Sequence, residues 1–438
     1  MMKPGHILIL LLILVGLSGA LVNGAPVYSR LLVLGLLLLL ATSLWGRLAV
    51  RRMQVVRQTR SLRASVGDVL EETFKVSNEG RLGCLWLEVL NETSVPGAAG
   101  SRLLTRVGGG QQRTYNARTW LTRRGSFPLG PTRLVSGDVF GFFGASRTFP
   151  ARETLVVLPM QVDLDHFPLP PGLLPGGRPI GRKSMDLTPH ASGIREYQPG
   201  DPLKRIHWPA TARTGELMVK EFDQDPQGEV WIFLDAERGV HAEKPWQEPG
   251  EQQELTLFRR RPVFHLPPST FEYAVTIAAS LVSYAIREKR AAGLVSAGQV
   301  MTFIPAERSS RQEDKVLETL AFLEPEGHMS LGSLVLAQAG QLPRGSSVLL
   351  VTPSARRDVL LAVDDLQQRG LHPLVILLMA ETFGGGEPGG PAMTALAERG
   401  VPVCAVREGD SLAQVLNQFD GKNSMQEGPR WPKPEYKP

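Results

Sequence analysis

The sequence predicts a multi-domain chain: an N-terminal transmembrane helical hairpin, an antiparallel β-sandwich, and a C-terminal α/β domain with a doubly wound sheet. Two apolar runs, Ile7 to Val22 and Leu31 to Trp45, open the chain. Short β-rich segments divided by Gly, Asn and Pro occupy Val55 to Pro159, and from Glu229 onward apolar strands alternate with amphipathic stretches. At 438 residues there is material for two or three independent cores. The net charge of +5 is modest for that length, and much of the excess sits just after the second apolar run, which points away from nucleic acid as a partner. Cys84 and Cys404 fall in different predicted domains, so neither a disulfide framework nor a cysteine-based metal site is supported, and a reducing compartment fits.

Residues 1–50 form the hairpin. Each apolar run is somewhat shorter than the roughly 20 residues that span a bilayer, but flanking Ala, Gly, Tyr and Trp extend both, with Asn23 to Arg30 as the connection. A cleaved signal peptide is the alternative for the first run; its weakly basic start and the immediate second run argue against it. Lys3 precedes the first run, Arg47, Arg51, Arg52, Arg57, Arg60 and Arg63 follow the second, and only Arg30 lies between them. By the positive-inside rule both termini face the cytoplasm, which makes this a two-helix protein of the inner or plasma membrane. The arginine run reads first as a topology determinant and second as a contact for anionic headgroups.

Residues 51–160 read as an immunoglobulin-like sandwich. Glu72 to Val76 alternates, Leu85 to Leu90 carries Trp86, and Thr154 to Leu158 is β-branched and apolar, with turns at Asn78-Glu79-Gly80 and Gly108-Gly109-Gly110. Phe140, Phe142 and Phe143 are aromatic anchors for a core or a domain interface, a ligand cage being the alternative. No catalytic spacing is present, and the domain reads as a rigid spacer above the membrane.

Residues 161–192 are a Pro- and Gly-rich connector. Within it Gly176 to Gly181 lacks both the preceding strand and the following Lys-Ser/Thr of a phosphate loop. Residues 193–228 then pack charged, aromatic and turn-forming side chains more densely than any other segment. Gln198-Pro199-Gly200-Asp201 reads as a type II turn, because Pro presets φ at the second position and Gly permits positive φ at the third. Asp201 caps a short helix with Pro202 in its first turn, Pro209 ends or kinks that helix, and a strand follows Gly215. Arg195, Arg205 and Arg213 are suited to grip a carboxylate or phosphate, with Tyr197, Asp201 and Trp208 completing a candidate binding elbow. The alternative is an internal network in which Asp201 and nearby Glu196, Glu216 or Glu221 pair with those arginines. His207 has the chemistry of a general base, but no nucleophile is recognisable beside it.

The run Arg195-Glu196-Tyr197-Gln198-Pro199-Gly200-Asp201, then Arg205-Ile206-His207-Trp208 and Ala212-Arg213, resembles the signature of the domain of unknown function 58 (DUF58) family. The stretches Arg123 to Pro131 and Asp138 to Phe143 are similar to the family's N-terminal portion. The family has no established chemistry, so the resemblance bears on architecture more than on activity.

Residues 229–420 alternate between strands and helices. Strands are expected at Glu229 to Asp235, within Gly293 to Ile304, and at Ser347 to Thr352, Leu374 to Met379 and Val401 to Val406. Helices are expected at Ser269 to Glu288, Ser309 to Leu323, Ala355 to Arg369 and Pro391 to Arg399. Ligands in such folds bind beyond the carboxyl ends of the strands. The order resembles a von Willebrand factor A-like domain, which the family commonly carries after its signature. Metal-binding members of that fold have Asp-x-Ser-x-Ser after the first strand. Here the run is Asp235-Ala236-Glu237-Arg238-Gly239, which keeps the acid, lacks both serines and adds a cation, so no intact metal site is expected. Val240 to Pro268 is long for a strand-to-helix connection and reads as solvated disorder or a partner-binding loop. Residues 421–438 read as a disordered tail.

The resemblance implies company with a MoxR-type AAA+ ATPase and with transglutaminase-like membrane proteins. The leading expectation is therefore a membrane-anchored cytoplasmic adaptor in the assembly or maturation of envelope proteins, without catalysis or a cofactor of its own. The alternative is an enzyme or binder acting on an anionic or phosphorylated ligand at the arginine-rich elbow, with Asp201 or His207 moving the proton. A cation-dependent, adhesion-like binder is disfavoured by the altered run at Asp235.

Overall fold

The structure, a computed structural model, describes residues 4–138, 142–169, 191–198, 206–222, 228–246 and 264–421. The chain divides into two compact units, Met1–Met160 with Trp246–His265, and Gln161–Pro245 with Leu266–Pro438.

The first unit opens with α1 (Pro4–Asn23) and α2 (Pro26–Arg51), packed side by side. Their connection is tighter than the expected Asn23 to Arg30. Gly24 supplies a positive φ of 62°, and Pro26 starts α2 in the first turn, where its missing N–H costs nothing. Small residues allow the close approach: a Cβ at Gly19 would lie 2.2 Å from the Tyr28 ring, and one at Gly16 2.7 Å from the Leu32 backbone. Among the described residues one stretch is long and apolar enough to cross a bilayer, Pro26–Trp45, while Ile7–Asn23 is apolar but shorter.

Helix α2 runs directly into β1 (Met53–Thr59). Arg147 fixes this joint by donating to the carbonyls of Arg51 at 2.8 Å and Met53 at 2.9 Å. That places a cation where a helix C-terminus leaves carbonyls without partners. The strands that follow are β2 (Arg63–Ser65), β3 (Val69–Asn78), β4 (Cys84–Asn91), β5 (Arg102–Val107), β6 (Gln112–Trp120), β7 (Gly125–Pro128), β8 (Thr132–Gly137), β9 (Gly144–Phe149) and β10 (Thr154–Leu158). Sheet β1-β3-β6 and sheet β5-β4-β8-β9 are antiparallel and share a core that includes Met53, Phe74, Val76, Leu87, Val89 and Leu134. A small sheet β2-β10-β7 encloses a second cluster around Leu70, Leu121, Leu155 and Val157. Phe264, near the end of the long connection Val240 to Pro268, packs on this cluster and meets Trp120 edge-on at 5.7 Å. Residues 247–263 of that connection lie outside the described residues, as do Phe140, Gly176 to Gly181 and 422–438.

The second unit begins with β11 (Ala191–Glu196), α3 (Trp208–Thr214) and β12 (Met218–Phe222), then β13 (Val230–Leu234) and α4 (Thr270–Arg287). It continues with β14 (Ala292–Ala297), β15 (Met301–Glu307), α5 (Ser310–Phe322), α6 (Leu331–Gln338), β16 (Ser347–Thr352), α7 (Arg357–Gln368), β17 (His372–Leu378), α8 (Gly390–Glu398), β18 (Val403–Val406) and α9 (Leu412–Gln418). Six strands form one sheet in the order β15-β14-β13-β16-β17-β18, all neighbours parallel except the antiparallel pair β14 and β15. Strands β13, β14 and β16 are buried along their whole length, which is why their sequences are largely apolar rather than alternating. Both thiols are buried, and burial, followed by the nearby Asp410 charge, pushes Cys404 up to about 12, so neither behaves as a reactive group at neutral pH.

An ion pair between Arg57 and Glu72 is enclosed in the first unit. Arg57 donates to Glu72 through Nε at 2.5 Å and Nη2 at 2.8 Å, with side-chain exposures of 10% and 1%. Removing one partner strands the other charge in the core, so Arg57→Met is expected to destabilise the chain by about 3 kcal/mol or more. Replacing both, Arg57→Met with Glu72→Leu, is expected to recover most of that loss. Denaturant melts of the full chain in detergent measure both.

Candidate functional site

Two neighbourhoods of the second unit carry the candidate residues. The first is the elbow. Strands β11 and β12 pair antiparallel, with Arg195 opposite Val219. The chain between them folds back on β12: the His207 N–H donates to the Met218 carbonyl at 2.7 Å and Ile206 bridges to Val219. Pro209 was expected to end a helix and instead helps begin one. It lies in the first turn of α3, whose N-terminus is capped by His207 Nδ1 accepting from the Ala210 N–H at 3.1 Å. That gives Nδ1 of His207 a capping role. Gly215, at φ +78°, closes the helix.

The elbow thus holds Arg195, Tyr197 and Trp208 in one small hairpin-based motif. Tyr197 is half-buried and Trp208 is 65% exposed at the start of α3. Arg213 is exposed in the last turn of α3, where a cation suits the helix dipole, and has no ion pair among the described residues. Asp201 and Arg205 lie outside the described residues.

The second neighbourhood is the crest at the carboxyl ends of β13 and β16, where the strand order reverses and α/β sheets leave a crevice. Asp235 follows β13 and is 1% exposed. Its Oδ2 accepts from Thr352 Oγ1 at 2.6 Å, and its Oδ1 accepts from the Glu237 N–H at 3.1 Å. Thr352 Oγ1 in turn accepts from the Ser354 N–H at 2.9 Å. Glu237 reaches across to Arg356, whose Nη1 donates at 2.8 Å. This hydrogen bond, above all, raises the already high pKa of the guanidinium and keeps it charged.

The loop after β13 is stitched to the segment before α6. The Arg238 N–H donates to the Gly327 carbonyl at 2.9 Å and the Gly327 N–H to the Ala236 carbonyl at 2.9 Å. Only glycine fits there, since a Cβ at 327 would lie 1.9 Å from the Ala297 carbonyl oxygen. Beyond the loop, His241 is half-buried, with its ring edge-on to Phe271 at 4.9 Å. Its Nε2 faces the Asp235 carbonyl at 3.1 Å and its Nδ1 the Thr270 hydroxyl at 3.0 Å. The carbonyl facing Nε2 assigns the neutral tautomer with Nε2–H donating to it; the Thr270 hydroxyl, which lies between Nδ1 and the Ala242 carbonyl at 3.2 Å, accepts from the Ala242 N–H at 3.0 Å. Burial holds this neutral ring down to about 4 and pushes Asp235 up to about 6. A cavity of about 360 Å³ opens alongside, lined among others by Arg238, His241, Glu243, Phe271 and Glu326.

This donor set does not suit a divalent cation. Asp235 is already held by Thr352, Arg356 sits on Glu237, and Ala236 and Gly239 offer no side-chain oxygen. Thr352, Arg356, Thr270 and His241 were not among the expected site residues. Thr352 had a readable signal, as the last residue of the strand that pairs beside β13.

Residues 193–241 match the family described as "Protein of unknown function DUF58". Over that stretch the chain is similar to DUF58. The DUF58 match begins in β11 and ends at His241, so it takes in both the elbow and the loop after β13. An uncharacterized protein, YeaD of Bacillus subtilis, is 24% identical over 204 residues, which is 45% of this chain and 42% of that protein. The chain therefore matches less than half the length of this relative. Among solved structures, proximal thread matrix protein 1 of the mussel byssus is 12% identical over 43% of this chain and 46% of its own, with a TM-score of 0.29. The CARDB domain of the PF1109 protein of Pyrococcus furiosus is 12% identical over 24% of this chain and 91% of its own, with a TM-score of 0.16. At these scores neither carries a fold assignment.

The two titrating groups of the crest act with opposite sign. Asp235, raised from 3.8 to about 6, makes the folded state bind more protons than the unfolded one between those values, so its contribution to stability falls as pH rises. His241, lowered from 6.5 to about 4, makes the unfolded state bind more protons in nearly the same window, so its contribution rises with pH. In the native chain these two contributions therefore largely offset one another between about 4.5 and 6.5. Asp235→Asn should expose a rise with pH and His241→Gln a fall, each of about 2 kcal/mol or less. Melts of the three proteins across that range test the signs.

Proposed function

We propose that this chain is a membrane-anchored interaction protein whose second unit presents the crest as a docking surface for another protein. The observation that carries the reading is the pairing of Glu237 with Arg356 over an Asp235 already held by Thr352. The charges there are arranged to be recognised and are largely spent on one another, with the neutral His241 saturated at both nitrogens. Among the described residues no three His, Cys, Asp or Glu side chains converge as a metal-ligand set.

In this reading the hairpin is integral to the plasma membrane with both termini on the cytoplasmic side, supported by the apolar span Pro26–Trp45 and the arginines after it. The β-rich unit is an immunoglobulin-like spacer. The α/β unit is von Willebrand factor A-like, a reading supported by the reversal of strand order between β13 and β16 and by the acid after the first strand. The partner is an AAA+ ATPase of the MoxR type, as the family resemblance implies, and the process is assembly or maturation of envelope proteins.

With the full chain in detergent as bait, a MoxR-type ATPase is expected to be retained in at least one nucleotide state, and EDTA is expected not to release it. Arg356→Gln should lower retention about tenfold or more in a chain that still folds, since a paired charge at an interface is costly to lose. Absence of retention with and without nucleotide, or release by EDTA, contradicts the proposal.

A further inference from the structure

We infer that the end of the β-rich unit next to α2 is a basic collar that binds the headgroups of anionic phospholipids. This rests on reading α2 as a membrane span and goes beyond it, because it assigns a lipid-binding surface to turns of the folded domain. The arginines after the apolar run do not act together. Arg57 is enclosed with Glu72, and Arg60 lies past the far end of β1, about 20 Å away along the strand. Only Arg47, Arg51 and Arg52 stay at the helix end, all exposed.

The fold supplies replacements. The turn after β3 is joined to α2 through the Glu79 N–H donating to the Arg52 carbonyl at 3.0 Å. The turn between β5 and β6 is joined to the first through the Gly110 N–H, which donates to the carbonyls of Asn78 at 2.8 Å and Gly80 at 3.1 Å. These turns bring Arg81, Arg106 and Arg113 to the same end, each exposed and without an ion pair among the described residues. Arg106 holds a φ of +56°, unusual for a non-glycine residue, at the close of β5. Glu79 is the exposed carboxylate of these turns, and beside Arg81 stands Leu82, an apolar side chain 38% exposed.

The height is right for headgroups. The apolar span ends at Trp45, and Arg52 follows about 10 Å further along the helix axis. That is the outer edge of the roughly 5–8 Å headgroup layer and within a Debye length of it. Leu82 is then placed to dip between headgroups while the guanidinium groups meet the phosphates, for which their planar fork is suited.

The test uses the purified full chain in a neutral detergent, with bound phosphatidylglycerol and phosphatidylcholine counted by native mass spectrometry, and with extraction of native membranes by alkaline carbonate as a separate arm. Phosphatidylglycerol should be retained over phosphatidylcholine, less so in high salt. The triple variant Arg81→Gln, Arg106→Gln, Arg113→Gln should weaken retention by about fivefold per arginine, while Arg60→Gln with Arg152→Gln, at the opposite end, should leave it unchanged. Equal retention of both lipids, equal loss in both variants, or displacement by inorganic phosphate at matched concentration overturns the collar. If the chain stays in the carbonate pellet while any of these occurs, the collar alone fails. Release of the chain by carbonate overturns the membrane span and the collar together.

Discussion

The ion pair between Glu237 and Arg356 is the interaction on which the crest depends. Three carboxylates lie at the ends of β13 and β16 and the start of α7, within reach of one another's charge: Asp235, Glu237 and Asp358, the last two acting on Asp235 through their charge. Such a cluster in a desolvated place is unstable unless a cation or a proton compensates it. Here both devices are used. Arg356, at the N-cap of α7, supplies a tethered cation to Glu237, and burial biases Asp235 towards its protonated form near pH 6. The loop that carries Glu237 is in turn held by the paired backbone bonds to Gly327, so the charge stands on a fixed platform.

The first unit solves a different problem, that of joining an apolar helix to a folded domain without slack. Helix α2 enters β1 with a single residue between, and Arg147 closes the joint by binding carbonyls on both sides of it. Arg147 also covers the Phe149 ring at 5.0 Å, so its position is held by packing as well as by hydrogen bonds. A helix fixed in this way sets the level of the adjacent turns relative to the end of the apolar span. Their arginines are placed by β-turn geometry rather than by proximity in sequence.

Much of the α/β unit was legible because its strands are fully buried and its longer helices are amphipathic: β16 and β17, α4, α5 and α7 lie within a few residues of where apolar runs and periodicity put them. The helices α6 and α9, of eight and seven residues, are too short to display a period. One strand is expected in part of Gly293 to Ile304, and two are found there, the antiparallel β14 and β15, since a tight turn leaves little compositional trace. At the elbow, Pro209 was read as a helix breaker when proline equally suits a first turn, and the deciding neighbour was the imidazole of His207, an uncommon cap. The crest was half legible. Asp235 follows from its strand, whereas Arg356 and Thr352 reach it only through the sheet order, which brings residues more than a hundred positions apart into contact.

At the crest the Arg356 guanidinium holds the Glu237 carboxylate that a divalent ion would otherwise need. Calorimetric titration of the full chain in detergent with Mg²⁺ and with Mn²⁺ tests this most directly. Heats no larger than those of dilution are predicted; a saturable heat that disappears in Asp235→Ala would contradict the account.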